Sequence, residues 1–257
     1  MKNDWKKHIQ NYDERRNIVL PGNAKETVIF AVEQLIAIAN ESIAERGVFT
    51  IALSGGSTPK AIFELLAKEP YCNQIDWNKV RIFWSDERSV PPDHPDSNYH
   101  MAMHAGLNSL PIQDKNIFRM TAELDIEASA IKYEELIRTI LPSGEFDLIM
   151  LGMGEDGHTA SLFPKTLALH SVDRLVVANY VPQKNTWRMT LTYKCINSAR
   201  YIAIYVIGES KAAMLKLVLT APYNPDVLPI QRVGTPSHKA LWIVDKDAAK
   251  DLLSWEM

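Results

Sequence analysis

Apolar residues at 28, 29, 32, 35, 36 and 39 keep a three-and-four spacing across 24–46, which predicts an amphipathic helix with Gly47 as its C-cap. The run that follows, Val48-Phe-Thr-Ile-Ala-Leu53, is short and rich in apolar residues, the pattern of a buried strand. It opens into Ser54-Gly-Gly-Ser-Thr-Pro59, and helical spacing resumes over 61–68. The alternation then recurs. Strands are predicted at 80–84 and 146–151, with helices over 98–107 and 125–141 between them. Further strands are predicted at 174–181, 188–193, 201–207 and 240–244, with helices over 209–219 and 246–254. Strands alternating with helices imply an α/β fold whose mostly parallel sheet is covered on both faces. No repeat, low-complexity stretch or Gly/Ser- or Pro-rich linker divides the chain, so 1–257 reads as a single domain.

Composition narrows the class. The 257 residues are 46% hydrophobic and 23% charged, with 11 Gly and 14 Pro, which excludes disordered and fibrous chains. Two cysteines, Cys72 and Cys195, are too few for a disulfide scaffold and read as reduced cytosolic thiols. A formal net charge of −3 gives no positive field for a nucleic-acid or acidic-membrane surface, so an anionic ligand must be met locally. Glu33 and Gln34 interrupt the most hydrophobic stretch, leaving no run near the roughly 18 residues of a membrane span. The start, Met1-Lys-Asn-Asp-Trp-Lys-Lys-His8, lacks the apolar core of a secretory signal. The expectation is a soluble cytoplasmic protein.

Three loops carry candidate chemistry. In Leu53-Ser-Gly-Gly-Ser-Thr-Pro-Lys60 the paired glycines admit close approach of a ligand to the backbone, and Thr58 and Pro59 suit the N-cap and first position of the next helix. Its amides, with the Ser57 and Thr58 hydroxyls, suit a phosphate at a helix N-terminus; a plain strand-to-helix turn is the alternative. The Walker and dinucleotide patterns are both absent. The loop over 85–97 holds three prolines and four carboxylates. There Arg88 could grip a phosphate, while Asp86 and Glu87 read as solvated charges or as supports for Arg88.

The third loop, Gly152-Met-Gly-Glu-Asp-Gly-His-Thr-Ala-Ser-Leu-Phe-Pro164, is the sharpest. Asp156 and His158 stand two apart, so in an extended loop both point one way, and a histidine titrating near neutrality suits a general base. Two other readings are weaker. His94, His100 and His104 include an i, i+4 pair but lack the His-Glu-x-x-His pattern and a nearby Cys, so no metal is assigned. Ser57 lies on a strand-to-helix turn without Gly-x-Ser-x-Gly, so no serine nucleophile is assigned.

Taken in order, Ser54-Gly-Gly-Ser-Thr-Pro, Asp86-Glu-Arg with His94-Pro-Asp-Ser-Asn-Tyr, and the 152–164 loop resemble the 6-phosphogluconolactonase family. The similarity spans most of the chain, and Arg188-Met-Thr-Leu-Thr192, Gly208-Glu-Ser-Lys-Ala212 and Leu241-Trp-Ile-Val-Asp245 continue it. The resemblance implies a modified Rossmann-like α/β/α fold shared with glucosamine-6-phosphate deaminases and ribose-5-phosphate isomerases. It implies hydrolysis of 6-phospho-D-glucono-1,5-lactone in the pentose phosphate pathway, with no cofactor, no metal and no obligate protein partner. By position, His158 and Asp156 match the catalytic pair. Ser54, Gly55, Gly56, Ser57, Thr58, Arg88 and Lys211 match phosphate-binding groups, and Arg188 a further substrate contact. The alternatives are a deaminase or isomerase on the same fold and a non-enzymatic sugar-phosphate sensor. Phe163 occupies the position of the deaminases' glutamate, and the 15 residues before Arg16 are too few for a helix-turn-helix.

Overall fold

The computed structural model describes residues 5–141 and 143–252. Two short strands, β1 (Gln10–Asn11) and β2 (Arg16–Val19), precede helix α1 (Ala24–Arg46). Asn23 caps α1 through a capping box with Glu26, and Gly47 ends it at φ +76°, the left-handed turn that glycine adopts without Cβ strain. Strand β3 (Phe49–Leu53) and α2 (Ser57–Leu66) follow, then β4 (Val80–Trp84), β5 (Asp86–Arg88), α3 (Asn98–His104) and α4 (Ile126–Ile140). The second half contains β6 (Leu148–Gly152), β7 (Val176–Val181), β8 (Thr186–Leu191), α5 (Tyr193–Ile196), β9 (Tyr201–Val206), α6 (Ala212–Thr220) and β10 (Ala240–Val244).

Seven strands form one sheet in the order β1-β2-β10-β9-β6-β3-β4, parallel throughout except for the β1–β2 edge. Every residue of β3 and β10 is buried. Because successive side chains point to opposite faces, unbroken burial means that both faces are covered. The chain leaves β3 toward β4 on one side and returns as β6 on the other, so a topological switch point opens at the carboxyl ends of β3 and β6, where open α/β sheets place their ligands.

Two expectations change here. The strands predicted at 174–181 and 188–193 do not join the parallel sheet: β7 and β8 pair antiparallel, and β5 adds to β8. An α/β alternation cannot distinguish these, because a hairpin needs only the short connection that separates the two runs. Ser85 joins the two sheets. Its amide and hydroxyl donate to the Leu53 carbonyl at the end of β3, and its own carbonyl accepts from Leu191 on β8. The helix predicted over 246–254 is, among the described residues, a turn over 246–249 followed by a 3-10 turn at Lys250–Leu252; residues 253–254 of that prediction, like Met1–Asp4, lie outside the described residues.

Helix α1 is long and apolar enough to cross a membrane by length and composition, a property masked in the sequence by the Glu33-Gln34 interruption. Over half of its most apolar window is buried inside the fold. Ala31, Val32, Leu35, Ile38 and Ala39 are each at most 2% exposed, so its hydrophobicity is that of a core helix.

Candidate active site

The backbone after β3 turns through Ser54 and Gly55 to Gly56, whose φ of +104° makes it the N-cap of α2. Ser57, Thr58 and Pro59 are thereby the first three helical residues, not the cap and first position expected for Thr58 and Pro59. The conformation at the cap excludes an L side chain, so glycine takes the place of a hydroxyl residue. Ser54, Gly55 and Gly56 line a cleft of about 620 Å³. Ser57 and Thr58 line a neighbouring, mainly apolar groove with Lys25 and Ile207. The first-turn amides of α2 have no intrahelical acceptor, whereas the Ser57 and Thr58 hydroxyls are outside the lining of the main cleft.

The opposite wall comes from β5. Alternation along this strand sends Asp86 and Arg88 into the cleft and Glu87 the other way. Glu87 is 2% exposed. It accepts the amides of Arg88, Asn98 and Tyr99 and the Ser97 hydroxyl at 2.7–3.0 Å. Burial pushes its carboxyl above the usual range even against these four donors. It is a buried helix cap, not a solvated loop charge, and it fixes the start of α3. Asn98, the first residue of α3, reaches back to the Asp86 carbonyl at 2.9 Å, and a Cβ on Gly55 would lie 1.8 Å from its Oδ1. Asp86 is also buried, its Oδ2 accepting from the Ser161 hydroxyl at 2.6 Å.

Arg88 is directly opposite Arg188 in the β5–β8 pairing. The Nε atoms of both are buried without a partner, while Arg88 Nη1 donates to the Asp96 carbonyl at 2.5 Å. Burial, and then the charge of Arg88, hold the Arg188 guanidinium below its ordinary range. Two like charges side by side with unused donors concentrate positive charge locally, which the small net charge of the chain did not announce. Arg188 lies beside Arg88 but outside the cleft lining, and Lys211 lines the cleft from the turn after β9.

The loop after β6 is folded around His158. Gly154 donates to the His158 carbonyl at 2.8 Å, and Gly157 turns at φ +77°. A Cβ on Gly154 would sit 2.0 Å from His158 Nδ1 and 2.2 Å from Cε1, so only glycine leaves space for the imidazole. Asp156 Oδ1 accepts from the His158 amide at 3.1 Å and from Nδ1 at 2.5 Å. A carboxylate oxygen only accepts, which places the proton on Nδ1 and leaves Nε2 as the basic nitrogen. Burial alone would raise the Asp156 carboxyl, but the hydrogen bonds and charge of His158 hold it below the usual carboxylate range. Phe163 covers the ring face, with centroids 3.9 Å apart and planes 17° from parallel. His100 and His104 stack on each other along α3 and do not line the cleft. Among the described residues no three His, Cys, Asp or Glu side chains are grouped to hold a metal.

The family model for glucosamine-6-phosphate isomerases/6-phosphogluconolactonase matches residues 22–242. The chain belongs to this family. It is 40% identical over 241 residues to the 6-phosphogluconolactonase of Chlamydia pneumoniae, covering 93% of this chain and 91% of the relative. It is 42% identical over 219 residues to that of Synechocystis sp., covering 82% and 88%. Among solved structures, 6-phosphogluconolactonase from Trypanosoma cruzi superposes with a TM-score of 0.81 at 29% identity, covering 95% of this chain and 99% of that one. A monomeric glucosamine-6-phosphate deaminase superposes with a TM-score of 0.76 at 20% identity, a likeness of fold alone.

Within this family fold the cleft gathers Ser54, Gly55, Gly56, Arg88, Asp156, His158 and Lys211 from four separate segments. It also brings in side chains that the sequence reading did not select. Asp86 and Asn98 form the buried wall described above, and Lys184 reaches the cleft from the tip between β7 and β8. The signal for Lys184 was present: Pro182 and Asn185, the latter at φ +46°, are turn residues between two strand-like runs. Reading those runs as members of the parallel sheet concealed the tip.

Proposed function

We propose that this chain hydrolyses 6-phospho-D-glucono-1,5-lactone to 6-phospho-D-gluconate in the cytoplasm, as a single domain without cofactor or obligate protein partner. The observation that carries the reading is the Asp156–His158 pair at 2.5 Å, which shares one cleft with Arg88 and Lys211. In this reading His158 Nε2 takes a proton from water as the oxygen attacks the lactone carbonyl carbon. Asp156 holds the imidazole in the required tautomer and stabilises the imidazolium that forms. As the tetrahedral intermediate collapses, the imidazolium returns the proton to the departing ring oxygen, and the ester bond opens to a hydroxyl and a carboxylic acid, which loses its proton to solvent. The phosphate is held by Arg88, Lys211 and the backbone after Ser54, with the adjacent Arg188 adding positive charge. Tethering one end of the substrate makes attack at the other effectively intramolecular.

The deciding experiment generates the δ-lactone in place by oxidising glucose 6-phosphate and follows its disappearance with and without this protein. Loss well above the spontaneous rate is expected; an unchanged rate would overturn the reading.

A further inference from the structure

Asp245 follows β10 and is completely buried. Its Oδ1 accepts the Gly208 amide at 3.0 Å and the Ala248 amide at 2.8 Å, and its own amide donates to the Val206 carbonyl at the end of β9. Gly208, at φ +101°, starts the 3-10 turn Glu209–Lys211, and the Lys211 amide closes that turn on the Gly208 carbonyl. Among the described residues Lys211 makes no ion pair, so its position in the cleft is set by the backbone that carries it. A carboxylate accepting an amide is among the stronger hydrogen bonds, and a buried one is not exchanged for water.

We propose that Asp245 is a positioning residue: through Gly208 it fixes the turn that presents Lys211 to the substrate. This rests on the reading of Lys211 as a phosphate ligand. Asp245 does not line the cleft, and of the two amides it accepts only that of Gly208 belongs to the turn. The second oxygen, Oδ2, is buried without a partner. It has no share in holding the turn, which separates the positioning role from the cost of burying the group.

The test measures KM and kcat for phosphorylated and unphosphorylated gluconolactone in Asp245→Ala, Asp245→Asn and Lys211→Ala, and in Lys211→Ala combined with Asp245→Ala. Asp245→Ala should raise KM for the phosphorylated lactone about tenfold and leave kcat/KM for the plain lactone within twofold. Asp245→Asn keeps an acceptor toward Gly208 but places an unpaired NH₂ where Oδ2 lies, so its melting temperature should fall while KM stays at the wild-type value. In the Lys211→Ala background, Asp245→Ala should cause no further change in KM. Should the alanine variant not fold, Asp245→Ser, too short to reach both amides, reads the same split. Equal loss toward both lactones in a folded variant, or additivity with Lys211→Ala, would overturn the proposal. Lys211→Ala alone tests the phosphate reading. If it spares the phosphorylated lactone, that reading fails, while non-additivity between the two positions on either lactone still tests whether Asp245 acts through Lys211.

Discussion

The imidazole of His158 lies flat against the ring of Phe163, 3.9 Å between centroids and 17° between planes. Phe163 is 4% exposed, so the stack is part of the core boundary and fixes the ring plane that Asp156 alone, holding one nitrogen, leaves free to tilt. Aromatic stacking of this kind contributes about 0.5–1.5 kcal/mol. Phe163→Leu should accordingly lower kcat by roughly two- to tenfold with KM unchanged, whereas His158→Ala removes the proposed base and should lower kcat by roughly two to four orders of magnitude. Steady-state kinetics of the two variants check the pair. An unaltered kcat in Phe163→Leu would show that the ring is held without the stack.

Gly154→Ala is predicted to disable the site without unfolding the protein. The added methyl would meet His158 Nδ1 at 2.0 Å and Cε1 at 2.2 Å, and the ring must leave the Asp156 carboxylate to make room. The expected loss in kcat approaches that of His158→Ala, roughly two orders of magnitude or more, with circular dichroism and KM little changed. The double variant Gly154→Ala, His158→Ala should be no worse than His158→Ala alone, because groups acting as a unit are not additive.

Much of this arrangement was legible in the sequence where one local rule decides it. The helix over 24–46 matches α1 at both ends because spacing, cap and Gly47 agree, and β4 and β10 match the runs at 80–84 and 240–244. The Asp156–His158 pair followed from two residues two apart in a glycine loop. What remained hidden depends on partners distant in sequence. Glu87 reads as a surface charge until α3 brings the amides of Asn98 and Tyr99 onto it. Arg188 comes beside Arg88 only when β8 pairs with β5. Thr58 reads as the N-cap of the helix after β3, but the positive φ of Gly56 sets the cap two residues earlier, and the Ser57 and Thr58 hydroxyls lie outside the cleft lining.

Glu134 should govern part of the acid stability. Its side chain is 9% exposed. It accepts from Arg138 at 2.8 Å, from Arg174 at 2.6 Å and from the Leu175 amide at 3.1 Å, which ties α4 to the start of β7. Burial would raise its carboxyl, but these donors together hold it below the usual range. A depressed carboxylate stabilises the fold fully above its unfolded pKa of about 4.3 and loses that stabilisation as pH falls through the folded value. Glu134→Gln should therefore lower the melting temperature at pH 7, by an amount corresponding to about 1–3 kcal/mol for charge-assisted bonds, and the gap to wild type should close as pH falls below 4. A gap that persists unchanged in acid would assign the effect to packing.

The facing pair Arg88 and Arg188 leads to the last prediction. Each has a buried Nε without a partner, and burial with the charge of Arg88 holds the Arg188 guanidinium below its ordinary range. An anion between or beside them relieves both terms, so inorganic phosphate should raise the melting temperature of the wild-type protein in proportion to its binding. Arg88→Ala should abolish most of that rise and lower kcat/KM toward the phosphorylated lactone by roughly one to two orders of magnitude, the loss of one charge-assisted contact of about 1.5–3 kcal/mol. Arg188→Ala removes the neighbouring positive charge, which draws the anion without lining the cleft, and should act in the same direction with a smaller effect. Unphosphorylated gluconolactone makes none of these contacts, so its turnover should be nearly indifferent to both substitutions. Equal losses toward the two lactones would place the guanidiniums at the carbonyl chemistry instead, and a phosphate-induced rise that survives Arg88→Ala would place the anion elsewhere in the cleft.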